Sequence, residues 1–131
     1  MTIEKGLSAE IEMIVTEEDT AARWGSGLVP AYSTPALVAL LESASVHALE
    51  GRLAPGQTSV GGRIDVRHLA ATPVGMQVRA RAILVEVEGA KLTFEIEAWD
   101  AVEKIGKAKH ERFIVDEVKF MSRTMEKLKS M

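Results

Sequence analysis

Apolar and polar residues alternate with a period of two along five stretches of this chain and drop that period in one. Residues 8–16, SAEIEMIVT, place Ile11, Met13 and Val15 on one side, the pattern of a half-buried strand. Residues 57–68, QTSVGGRIDVRH, alternate through Val60, Ile64 and Val66, with Gly61 and Gly62 interrupting. Glycines inside a strand mark a bulge or the close approach of another group. Residues 76–87 alternate through Met76, Val78, Ala80, Ala82 and Leu84 before the phase is lost at Val85 and Val87. Residues 91–100 carry Leu92, Phe94, Ile96 and Ala98, and residues 104–116 place Ile105, Phe113 and Val115 on the apolar side. The turns at Gly89-Ala90 and at 100–103 are so short that the last three strands form an antiparallel meander.

The exception is residues 33–50, STPALVALLESASVHALE. Thr34 can cap a helix whose first turn holds Pro35, where a missing N–H costs nothing. Ala36, Leu37, Val38, Ala39, Leu40 and Leu41 follow without a charge, which reads as a helix covered by protein on every side. Glu42 comes directly after them, and a carboxylate there is costly to bury unless it is paired or has a task. Gly51 ends the helix. Strand, buried helix, four strands: the predicted fold is α+β, a curved antiparallel five-stranded sheet around one long central helix. Residues 20–32, with Trp24, two glycines and Pro30, read as a loop or short irregular helix. Residues 117–131 set Phe120, Met121, Met125 and Leu128 near helical spacing and read as a short amphipathic tail helix.

Composition narrows the function classes. A chain of 131 residues is expected to form a single domain over 1–131. It has no cysteine, hence no thiol nucleophile, disulfide or thiolate metal site. No segment approaches the apolar length of a signal core or a membrane span, so a cytoplasmic location is expected. The net charge of −3 argues against nucleic-acid binding. It is unevenly spread: residues 104–131 hold eight Lys/Arg and four Asp/Glu, or +4, leaving −7 for residues 1–103. The basic quarter is either a solvated surface or a place for phosphates of a small ligand.

Thr34, Glu42 and His68 are the polar residues out of place. Hydroxyl, carboxylate and imidazole are the parts of a hydrolytic site. The competing account makes Thr34 a cap, Glu42 a charge at the helix surface and His68 a turn residue. His47, His68 and His110 show no metal-ligand spacing, and there is no phosphate loop or nucleophile elbow.

The motifs TPALVALLE, VRHLAATPVGM and KIGKAKHERFIV resemble those of the fluoroacetyl-CoA thioesterase family of hotdog-fold proteins, over roughly residues 10–120. The matching features are a Thr eight residues before a Glu, and a His 26 residues after it, followed by an A-A-T-P-x-G turn. The resemblance implies that Thr34, Glu42 and His68 are catalytic, that Gly61 and Arg112 hold the acyl-CoA substrate, and that no cofactor is needed. It also implies a homodimer or dimer of dimers. Fluoroacetyl-selective members carry an aromatic gate before the Thr, whereas this chain has Leu28, Val29 and Pro30. A short-chain or otherwise unusual acyl-CoA is therefore the expected substrate, hydrolysed to acid and CoA. Glu42 would be nucleophile or general base, His68 a proton shuttle near neutral pH, and backbone N–H groups around Gly61 an oxyanion site. Two rivals stand beside it. One is a non-catalytic acyl-CoA-binding protein. The other is a hotdog enoyl-CoA hydratase using Glu42 and His47, which five helical steps place about 140° apart.

Overall fold

The computed structural model describes residues 2–131. Strand β1 (Ser8–Ile14) leads through a single 3-10 turn at Glu17–Asp19 and the one-turn helix α1 (Ala21–Trp24) into helix α2 (Thr34–Ala48). Strands β2 (Gln57–His68), β3 (Gln77–Glu88), β4 (Lys91–Asp100) and β5 (Lys104–Asp116) follow, and helix α3 (Glu117–Lys129) closes the chain. All five strands form one antiparallel sheet in the order β1-β3-β4-β5-β2. The meander β3-β4-β5 is its centre. β2, which follows α2 in sequence, crosses to the far edge beside β5.

The interruptions of the alternating pattern are physical. The β2–β5 register shifts between Gly61 and Arg63, and the β3–β4 register shifts between Leu84 and Glu86. An extra residue at each point turns the following side chains to the other face, which is why Val85 and Val87 fall out of phase. At Gly62 an added Cβ would lie 2.3 Å from Phe113 Cε2, so the ring lies against the bare backbone.

The concave face of the sheet is apolar and holds α2. Leu37, Leu41 and Ala44 of the helix are fully buried, as are Val78, Ala80, Ala82 and Leu84 of β3 and Leu92, Phe94 and Ala98 of β4. Each such leucine or phenylalanine contributes roughly 1.5–3 kcal/mol on leaving water. The alternation read along β3 and β4 thus has the predicted phase.

Two expectations need correction. α2 is not covered on every side: Ala39, Ser43, Val46 and His47 are exposed, because a single sheet shields only one broad face of a helix. In β5 Ile105 is buried in the core as expected, but past the register shift beside it the inward positions are Gly106, Ala108, His110, Arg112 and Ile114, while Phe113 and Val115 are half-buried on the opposite side. The apolar residues Phe113 and Val115 misled the phase; the inward face of this strand carries an imidazole and a guanidinium, His110 and Arg112.

Residues 25–30 are an exposed loop, with Leu28 95% exposed. Beyond it Tyr32 N–H donates to the Thr72 carbonyl (2.9 Å) and Ser33 N–H to that of Asp19 (2.9 Å), which anchors the start of α2. α3 buries no residue. No described helix is long and apolar enough to cross a membrane.

Candidate active site

The N-terminus of α2 is capped by Ser33, not Thr34. The Ser33 hydroxyl accepts from the Ala36 N–H at 3.1 Å, and Pro35 occupies the first turn. Relieved of that duty, Thr34 turns its hydroxyl to His68 at the end of β2, with Oγ1 and Nδ1 2.8 Å apart. The other ring nitrogen of His68, Nε2, is buried and meets no hydrogen-bond partner among the described residues. Burial lowers the pKa of His68, and the Ala70 backbone opposes this. The imidazole is therefore neutral near pH 7, with one nitrogen able to take or give a proton.

Two turns further along α2, Glu42 faces a different neighbourhood. Its Oε2 lies 3.6 Å from Arg112 Nη1 and 3.9 Å from His110 Nε2. Gly61 of β2 lies underneath: a Cβ added there would stand 2.9 Å from Glu42 Oε2 and 3.3 Å from His110 Cε1. Only a residue without a side chain lets the carboxylate rest against this strand. Glu42, Arg112, Ala39, Ser43, Val46 and His47 line a cavity of about 340 Å³.

Arg112 is buried, 6% exposed. Its Nε donates to Ser59 Oγ (2.9 Å) and its Nη2 to the Ser59 carbonyl (3.0 Å). Burial lowers its pKa, and the Glu42 carboxylate opposes that. Arg112 is thus neither part of a solvated basic surface nor turned outward toward a phosphate. Of the other cations in the basic quarter, Lys104, Lys107 and Lys109 line a groove on the opposite face of the sheet with Glu95 and Glu97, and four more ride on the exposed α3.

The five residues singled out from sequence therefore fall into two groups. Thr34 and His68 meet directly, and Glu42, Gly61 and Arg112 meet directly. Thr34 is the first residue of α2, so it does not fold back toward Glu42, and eight residues of helix separate the two by about 12 Å. Ser59 and His110 belong to the second group and were not among the candidates. His110 was reachable from the H-x-R spacing, which puts both side chains on one face of a strand. No group of three or more described metal-binding side chains stands together.

The sequence model of a fluoroacetyl-CoA-specific thioesterase family matches residues 15–118. A curated relative, the fluoroacetyl-CoA thioesterase of Streptantibioticus cattleyicolor, is 40% identical over 96 residues, which cover 73% of this chain and 69% of the relative. A solved structure of the fluoroacetyl-CoA thioesterase FlK superposes with a TM-score of 0.92 at 31% identity, covering 97% of this chain and 98% of that one. A variant of FlK solved with fluoroacetate and CoA superposes with a TM-score of 0.85 at 32% identity, over 90% of this chain and 99% of that one.

Proposed function

This chain belongs to the fluoroacetyl-CoA-specific thioesterase family and is a hotdog-fold acyl-CoA thioesterase, and from that premise we propose that Glu42, His68 and Thr34 carry the cleavage of a short or unusual acyl-CoA. The observation that carries the reading is the pair of groups described above. A half-buried carboxylate rests on a bare glycine beside a buried guanidinium. A neutral imidazole is oriented by a hydroxyl. Either the carboxylate takes the proton of a water that adds to the thioester carbonyl, or it attacks the carbonyl itself and water then opens the resulting anhydride. In both the C–S bond breaks, CoA leaves as the thiolate, and the proton that water gives up reaches the sulfur through the imidazole, which accepts on one nitrogen before it donates. Arg112 acts at the reacting end of the substrate, as the fixed positive charge beside the carboxylate. The products are the free acid and CoA; no metal or other cofactor enters.

The acyl preference is broader than fluoroacetyl. Its support is the stretch before Thr34, where selective members carry an aromatic gate and this chain has Leu28, Val29 and Pro30, all solvent-exposed.

The active unit is a dimer with a composite site. β2 is an edge strand and carries both Gly61 and His68, seven residues or about 23 Å apart. Pairing it antiparallel with β2 of a second copy, about an axis between Ile64 and Asp65, would set His68 of each copy opposite Gly61 of the other. Thr34 and His68 of one subunit would then face Glu42 and Arg112 of its partner.

The test is thiol release from a panel including acetyl-, fluoroacetyl- and propionyl-CoA, with wild type and Glu42→Gln. The variant is nearly isosteric but neither a base nor a nucleophile, so it should lose turnover by at least about a hundredfold while keeping its fold. Wild-type turnover in folded Glu42→Gln overturns the assignment. Hydration of an enoyl-CoA without thiol release would favour the hydratase, and binding without turnover the binding protein.

A further inference from the structure

We propose that His110 is a positioning residue for the thioesterase reaction: neutral and protonated on Nδ1, it holds Arg112 beside Glu42 through the lone pair of Nε2. The proposal rests on the reading of Glu42 as the reacting carboxylate.

His110 is 1% exposed, the most buried ionisable side chain near the site. Its Nδ1 lies 2.7 Å from the Arg63 carbonyl, and its Nε2 lies 3.1 Å from Arg112 Nη1. A carbonyl only accepts and a guanidinium only donates. These two neighbours leave one arrangement of the proton: Nδ1–H donates to Arg63, and Nε2 accepts from Arg112. A second proton on Nε2 would point one N–H at another.

The consequence reaches Glu42. Arg112 is held by Ser59 on one side and His110 on the other. Nη1, the nitrogen nearest the carboxylate, spends a hydrogen on His110 and stops 3.6 Å from Glu42 Oε2, short of a tight ion pair. Free of that imidazole, the guanidinium would be drawn onto the carboxylate in the bidentate geometry such pairs favour, and the lone pairs needed for attack or proton removal would be engaged. His110 thus keeps a positive charge close to Glu42 without neutralising it.

The charged groups around His110 set its titration. The Arg63 carbonyl at Nδ1 favours its protonation, Arg112 on β5 disfavours it, and Glu42 on α2 and Glu111 on β5 favour it; its cross-strand neighbours, Phe94 on β4 and Ile64 on β2, carry no charge. Burial is the largest influence and also disfavours the cation.

Two variants separate acceptor from shape. His110→Phe keeps the ring and loses both hydrogen bonds. His110→Gln keeps an acceptor oxygen near the Nε2 position. We expect His110→Phe to lower kcat by about tenfold or more, with KM little changed, because the displacement is at the reacting group. We expect His110→Gln to recover most of that loss. Wild-type kcat in His110→Phe, or equal losses in both variants, overturns the proposal. Should His110→Phe not fold, ¹⁵N-imidazole NMR of the wild-type protein decides. The expected spectrum is a neutral ring with its proton on Nδ1 at pH 7, and a titration moved to lower pH in Glu42→Gln. An Nε2–H tautomer or an imidazolium at pH 7 overturns it. The tautomer is read without turnover, so an active Glu42→Gln would remove the reading of Glu42 while the Arg112–His110 contact is judged separately.

Discussion

At the scale of single residues, the site is built from what neighbours do not do. Ser33 caps α2, so Thr34 is available to His68. Gly61 has no Cβ, so Glu42 Oε2 can occupy a place only 2.9 Å from where that Cβ would be. Gly61→Ala should therefore be nearly silent in stability and costly in rate. The added methyl meets the far end of the flexible Glu42 side chain, which can swing aside, and its 3.3 Å approach to Cε1 of the buried His110 ring offsets part of the gain that alanine brings by losing less chain entropy than glycine on folding. We expect a stability change under about 1 kcal/mol by urea denaturation. We expect kcat to fall by about tenfold or more, since a shift of about 1 Å at a reacting group has effects up to about a hundredfold. An unchanged kcat would mean that Glu42 does not work from this position.

At the scale of elements, the N-terminus of α2 separates folding from chemistry in adjacent residues. Ser33 is buried and satisfies the Ala36 N–H; Thr34 is exposed and bonds only to His68 among the described residues. Ser33→Ala should cost about 1 kcal/mol of stability. Thr34→Ala should cost less and instead lower turnover, by freeing the imidazole from its fixed orientation. Paired denaturation curves and thiol-release rates check this; equal stability losses in the two variants would contradict the division. β5 shows the same economy. Its outward residues Lys107 and Lys109 face solvent, while His110 and Arg112, displaced by one pleat each, face the helix.

At the scale of the whole molecule, the two groups of site residues must be brought together by something other than α2. The open edge of β2 and the exposed stripe Ala39–Ser43–Val46–His47 of α2 lie on the side of the fold that the chain does not cover. Edge strands left open invite pairing, and pairing of β2 with a second β2 would join the groups. Mixing inactive Thr34→Ala and Glu42→Gln proteins under subunit exchange should restore up to about a quarter to a half of the wild-type rate per site, because half of the sites in each mixed dimer are intact. A fully active monomer at assay concentration would exclude the composite site.

Local pattern alone located the elements and the buried faces of β1, β3 and β4. Period-two alternation located all five strands, and six uncharged apolar residues located the central helix, because both signals are local and repeat along the chain. The motifs TPALVALLE and VRHLAATPVGM were enough to single out Thr34, Glu42 and His68. Which side chains meet depended on the folded sheet. Alternation could not give the phase of β5, because Phe113 and Val115 are as apolar as inward residues and the strand's own pairing with β4 is irregular at Ile105, between the pairs Ala98–Gly106 and Trp99–Lys104. The H-x-R spacing sets His110 beside Arg112 on one face of β5, but its part in the site, like that of Ser59, is a contact with Arg112 whose surroundings depend on the crossover of β2 to the far edge. The distance from Thr34 to Glu42 follows from helix geometry alone. The fact that Thr34 chooses His68, and Glu42 chooses Arg112, required the folded sheet, since hydrogen bonds are set by separations of a few ångströms that a one-dimensional pattern does not contain.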